Sequence, residues 1–274
     1  AIKNQHAILI ILFCSFLLAF SVLTPTSLSL TTTPGNIQTA QNTASIGSGT
    51  FNVTLSSKPT SGNTLILTYS GSGEPTNPTI SGVSQNGVTW AKAVSENGLV
   101  DVEIWYGTVG ANAGNTAIIT VTGGSTSHFG NIGDICEWVG IATTNPLDKT
   151  AFNTGLSVEG DTGTTAVTIQ SNELFVGAIG TKGVTDQFST NDGYALSNGQ
   201  AKNLGTYLSL GELVKISTIK ETANSGTNFM KTSWAGCIAT FKSVDVTPTP
   251  SPSPKPTLTP TPTPSPSPSQ SPSP

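Results

Sequence analysis

Leu174-Phe175-Val176-Gly177-Ala178-Ile179 carries no polar side chain. Successive side chains of an extended strand point to opposite faces. A strand of this composition must therefore be covered on both sides, as in the middle of a sandwich. Phe51-Asn52-Val53-Thr54-Leu55 alternates instead, with its apolar side chains on one face and its polar ones on the other. In Asp101-Val102-Glu103-Ile104-Trp105-Tyr106, the residues Val102, Ile104 and Tyr106 share one face, and Asp101, Glu103 and Trp105 share the other.

Working outward, the same signature recurs. Runs rich in Val, Ile, Thr and aromatics span 36–44, 50–56, 63–70, 88–95, 100–107, 115–122, 131–139, 164–169, 173–180, 205–216 and 232–241. Gly71-Ser72-Gly73, Asn86-Gly87, Gly123-Gly124 and Asn224-Ser225-Gly226 punctuate them as turns. Strands without intervening helices predict antiparallel sheets. The fold expected is all-β: a jelly-roll-like antiparallel β-sandwich forming a single domain over residues 31–245. Two halves echo each other, because one spacing separates both Leu65 from Leu174 and Glu103 from Glu212. Two Greek keys of a jelly roll would produce such an echo, and so would chance.

Both ends differ from this middle. Residues 7–23 are an uncharged, mostly apolar run behind Lys3, with the small residues Ser27 and Ser29 after it. Residues 1–29 are read as a signal peptide or an N-terminal anchor. Residues 246–274 form a Pro/Thr/Ser-rich linker or stalk whose one charge past Asp245 is Lys255. Proline at nearly every second position favours a disordered, extended chain. The localisation expected is extracellular or cell surface.

Charged residues make up only 9 % of the chain, with 11 Lys+Arg against 15 Asp+Glu and a formal charge of −4. This balance provides no basic footprint for nucleic acid and no polybasic attraction to anionic lipid. Membrane contact is expected only through an N-terminal anchor or one beyond the C-terminal stretch. With only His6 and His128, and no Walker loop, zincin motif or CxxC pair, no metal site and no cofactor is expected. His128 is read as a loop residue. The acids of Glu159-Gly160-Asp161 are too few for Ca²⁺, which takes about 6–8 oxygens. Cys14 lies in the leader. Cys136 and Cys237 could form a disulfide or remain two buried thiols, and spacing leaves both open.

The candidate site is Asp101, Glu103 and Trp105. Two carboxylates and an indole on one strand face are what a sugar-binding or sugar-cleaving surface needs. Trp90, Trp138 and Trp234 are read as packing residues.

Across residues 37–243 the chain resembles a group of β-sandwich domains in secreted and cell-surface proteins of bacteria and archaea. The resemblance rests on Ser61-Gly62-Asn63-Thr64-Leu65, Gly87-Val88-Thr89-Trp90, Val102–Tyr106, Asn145-Pro146-Leu147-Asp148, Asn172-Glu173-Leu174 and Trp234–Phe241. These are structural turns and strands, so the resemblance implies fold and location and carries over no catalytic residue. The function expected is a non-catalytic binding or adhesion module, not an enzyme, with surface glycans or cell-wall polysaccharide as ligand. A polysaccharide-acting glycosidase or lyase, and a structural subunit of a surface layer or filament joining neighbouring surface proteins, are the alternatives.

Past Val246, apart from Leu258 and its prolines, the C-terminal stretch has no apolar side chain to offset its ordering entropy. Truncation after Val244 is therefore expected to leave the melting temperature unchanged. A fall of several degrees would mean that the stretch docks on the domain.

Overall fold

Strand-forming sequence produces strands at nearly every expected position. The computed structural model describes residues 30–44, 49–73, 76–113, 116–123, 128–183, 188–198 and 201–246. The expected leader (1–29) and the stalk from 247 onward lie outside the described residues. Every regular element among the described residues is a strand.

The first half holds β1 (Leu30–Thr31), β2 (Gly35–Ala44), β3 (Thr50–Thr54), β4 (Thr64–Gly73), β5 (Ile80–Ser84), β6 (Val88–Asn97), β7 (Asp101–Val109), β8 (Ile118–Gly123) and β9 (His128–Val139). The second holds β10 (Leu147–Asp161), β11 (Glu173–Lys182), β12 (Ser189–Thr190), β13 (Ala195–Leu196), β14 (Lys202–Leu204), β15 (Leu208–Ser217), β16 (Gly226–Phe241) and β17 (Asp245–Val246). One sheet has the order β2-β9-β4-β7-β6, a second β10-β16-β11-β15-β13, and a third β3-β8-β5. Pairing is antiparallel throughout.

The two large sheets repeat one order, with β10, β16, β11 and β15 taking the places of β2, β9, β4 and β7. Among the described residues, the halves pair with each other only through β1 with β17 and a bridge between Ile141 and Ser243. Each half thus builds its own sheets, and the halves stack face to face. The residue echo does not follow this repeat. Leu65 packs outward with Phe51 and Val53, whereas Leu174 packs inward with Ile66 and Val102. A shift of one residue exchanges the faces of a strand, so the equal spacings match positions that point to opposite sides.

Three apolar layers follow from this stacking. Ile66, Val102, Ile104 and Cys136 of the first half meet Leu174, Val176, Leu210 and Phe241 of the second between the large sheets. Tyr106 meets Phe241 edge-on there, with ring centroids 5.5 Å apart. Leu65, Leu67, Tyr69 and Ile135 on the far face of the first sheet are covered by Phe51, Val53, Ile119 and Val121 of the small sheet. Phe175, Ile179, Leu213 and Ile238 on the far face of the second are covered by Phe188, Tyr194, Ala223 and Phe229. That cover is mostly irregular chain, and here a sequence expectation fails. Residues 164–169 are not a strand; Thr165 and Thr168 donate singly to Ala223 O (2.9 Å) and Glu221 O (3.0 Å). Conversely, β5 and the 15-residue edge strand β10 carry no clear strand signal. Asn153, Gly155 and Gly160 interrupt β10, and it exposes Phe152 and Leu156 rather than burying one face. His128 opens β9 instead of lying in a loop.

β17 also moves the cut that isolates the C-terminal stretch to after Val246, because truncation after Val244 removes the partner of β1.

The sheets approach closely at Gly180. A Cβ there would overlap Ser70 Oγ and stand 2.7 Å from Val102 Cγ2 across the interface. Gly180→Ala is expected to cost about 1–3 kcal/mol by overpacking. Gly82→Ala, where a Cβ meets nothing within 4 Å, should stay within about 0.5 kcal/mol. Chemical denaturation of the two variants checks the difference.

Candidate functional site

Among the described residues six carboxylates are buried: Asp101, Glu103, Asp134, Glu137, Glu173 and Glu212 are each at most 1 % exposed. All eleven of its basic residues are lysines, so no guanidinium offers a two-pronged partner. Isolated burial of a carboxylate is too costly to persist, and each of the six resolves the problem differently.

β7 places Asp101, Glu103 and Trp105 on one face, as their alternation predicts. That face is turned toward the small sheet, so both carboxylates are fully buried and Trp105 is half-buried. Glu103 Oε1 accepts the backbone N–H of Ile80 at 2.7 Å. Glu103 Oε2 accepts the indole N–H of Trp105 at 2.7 Å and lies 2.6 Å from Lys92 Nζ. The Lys92 ammonium also sits 5.2 Å from the Trp105 ring centroid. Glu103 therefore ties β5, β6 and β7 together. No N–H or O–H donor reaches Asp101. Burial first, then the neighbouring Glu103 charge, pushes the Asp101 carboxyl up to about 9. It is a neutral acid at pH 7, able to donate to Glu103.

Glu137, on β9, is held by three N–H donors. Its oxygens accept from Gln38 Nε2 (2.5 Å), Thr60 N (2.8 Å) and Asn63 Nδ2 (2.6 Å), joining β2 and the loop before β4. Glu173, at the start of β11, lies beside Asp148. Burial, then the charge of Asp148, raises it to about 7.

Asp134 and Cys136 on β9 face Glu212 on β15 across the sheet interface, and one ligand atom from each lies within 4.8 Å of the others. Asp134 accepts from Gln41 Nε2 (2.6 Å), from Asn198 Nδ2 (2.9 Å to each oxygen) and from Ser197 Oγ (3.3 Å). Thr68 Oγ1 donates to Glu212 Oε2 at 2.9 Å, while Oε1 receives no N–H or O–H donor. Sequence analysis missed this cluster because Asp-x-Cys alone carries no signal, and only the stacking of the sheets adds Glu212.

The two cysteines are free and buried. Cys136 adjoins Glu212, whereas Cys237 lies on β16 with its Sγ 3.9 Å from Val102 O. Of the two readings left open by spacing, the structure holds buried thiols and no disulfide, because the cysteines stand on facing sheets among different neighbours. Trp138 and Trp234 are buried packing residues, each 4 % exposed.

On the surface, an open groove of about 350 Å³ lies where the end of β4, the β6–β7 turn and the end of β11 converge. Thr76, Asn77, Asn97, Leu99 and Lys182 line it. Asn77 Nδ2 donates to Gly98 O at 2.9 Å, and Leu99 is 52 % exposed. Asn97 pairs with Asp101 across β6 and β7, so the groove begins where the predicted carboxylate face ends. Its residues come from three separate loops, and nothing in their local sequence marks them.

No protein-family profile, curated protein or solved structure matches this chain.

Asp101 offers a check on these electrostatics. Its folded-state value, about 9, lies above the ordinary 3.8. Between those values the folded state holds a proton that the unfolded state has lost, so stability falls as pH rises through that window. Asp101→Asn is expected to flatten the fall, and its melting temperature should gain on the native chain more at pH 8 than at pH 4. Parallel profiles would show that Asp101 is ionised in the folded protein.

Proposed function

We propose that the chain is a non-catalytic module of a secreted or cell-surface protein, that it binds carbohydrate, and that the groove at the β6–β7 turn is its contact surface. The observation that carries this reading is the groove's lining. The side-chain amides of Asn77 and Asn97 and the hydroxyl of Thr76 stand beside the exposed apolar side chain of Leu99. Neutral sugars are recognised by such convergent donors and acceptors around an apolar contact. The jelly-roll description belongs to the same reading. It rests on the order β2-β9-β4-β7 in one sheet and β3-β8-β5 in the sheet over it.

The glycosidase alternative is disfavoured by its own candidates. Catalytic carboxyls must flank the scissile bond, but Asp101 and Glu103 are fully buried, and Glu103 is saturated by Ile80, Trp105 and Lys92. Trp105 as a stacking platform would need the Lys92 ammonium to leave its ring. The assembly alternative has a specific observation in its favour. Phe152, Leu156 and Val158 on edge strand β10, with Met230 on β16, are each more than half exposed. Apolar side chains on a sheet edge favour association with a neighbouring chain.

Glycan-array binding and turnover assays on the full chain test the proposal. Asn97→Ala and Leu99→Ala are each expected to weaken glycan binding about tenfold or more, equivalent to about 1.4 kcal/mol, with no sugar release by the native chain. Loss of binding in Trp105→Ala but not in the groove variants would move the contact to β7. Measurable sugar release would overturn the non-catalytic reading. Absent glycan binding, together with oligomers that Phe152→Ser and Leu156→Ser dissolve, would favour assembly.

A further inference from the structure

We propose that Asp134, Cys136 and Glu212 form a buried site for one Zn²⁺-like divalent ion that joins the two large sheets. The three come from facing sheets, β9 and β15, and converge to within 4.8 Å with exposures of 1 %, 0 % and 1 %. A tetrahedral ion at about 2.0 Å from oxygen and about 2.3 Å from sulfur holds its ligands about 3.3–3.5 Å apart. The ligand atoms would need to draw together by at most about 1.5 Å.

A second observation points the same way. Glu212 Oε1 receives no N–H or O–H donor and has only the weakly donating Cys136 thiol beside it, although the residue is buried and its Oε2 is engaged by Thr68. An under-satisfied carboxylate oxygen in a dry interface is costly, and coordination would satisfy it. The surroundings also suit a ligand shell. Asp134 is oriented by Asn198, Gln41 and Ser197, and such outer partners fix first ligands in metal sites.

The donor set selects the class of ion. Ca²⁺ and Mg²⁺ take oxygen ligands and six or more of them, roughly. One thiolate with two carboxylates suits zinc, or cobalt in its place, leaving a fourth position to water or the Thr68 hydroxyl. Binding exchanges the Cys136 thiol proton and any Glu212 acid proton for the ion, so protons are released to solvent. Coordination across the interface would link the halves directly, whereas hydrogen bonds alone tie Thr68 to Glu212 and Asn198 to Asp134.

The test uses the full chain without a histidine tag, refolded with Zn²⁺, Co²⁺ or chelator and then exchanged into metal-free buffer. The expected results are one retained ion per chain, a melting temperature several degrees higher than with chelator, and a thiolate-to-cobalt charge-transfer band. Cys136→Ser should abolish the band, and Cys237→Ser should keep it. Should Cys136→Ser fail to fold, the native chain decides alone. Zinc that washes out, or bound cobalt without a thiolate band, overturns the site. Neither result bears on glycan binding, because the cluster lies between the sheets and the groove lies at the β6–β7 turn.

Discussion

Strands β4 and β11 are buried along both faces, and this constraint orders the rest of the molecule. Neither can meet water on either side. Leu65 and Leu67 on one face of β4, and Ile66 on the other, each require a separate apolar partner layer. Phe175 and Val176 impose the same demand in the second half. The result is two large sheets facing each other, each with a cover on its far side. The covers differ. Three regular strands close the first half, while irregular chain carrying Phe188, Tyr194 and Ala223, with Phe229 of β16, closes the second.

Close stacking brings polar groups into the interior along with the apolar ones, and a chain whose basic residues are all lysines must satisfy them by other means. Glu137 is held by three N–H groups and Glu103 by a backbone amide, an indole and an ammonium. Asp101 keeps its proton. Each solution fastens elements distant in sequence: Glu103 joins three strands, and Glu137 joins β9 to β2 and to the loop before β4. The buried acids are thus part of the scaffold's wiring.

This burial bears on function. Carboxylates locked inside the sandwich cannot reach a substrate outside it, so the proposed binding role falls to the rims of the sheets: the β6–β7 turn with its groove, and the apolar margin of β10. Both lie where strands end or pairing stops, which is where a rigid sandwich has side chains to spare from packing.

The sequence by itself determined the strand class, most strand positions, and which side chains of β7 share a face. These follow from local alternation, and a strand's two-residue period is a property of the backbone. It also carried the buried roles of Trp138 and Trp234. It could not tell which face of β7 meets water, since Asp101, Glu103 and Trp105 read as an accessible binding face until the small sheet lies over them. β10 escaped notice because an edge strand needs no buried face and so shows no clean alternation. The meeting of Asp134 and Cys136 with Glu212, the separation of Cys136 from Cys237, and the groove between Asn77, Asn97 and Lys182 were decided only by tertiary structure. Each depends on how sheets stack and where loops converge, and those distances are set by packing between segments far apart in the chain.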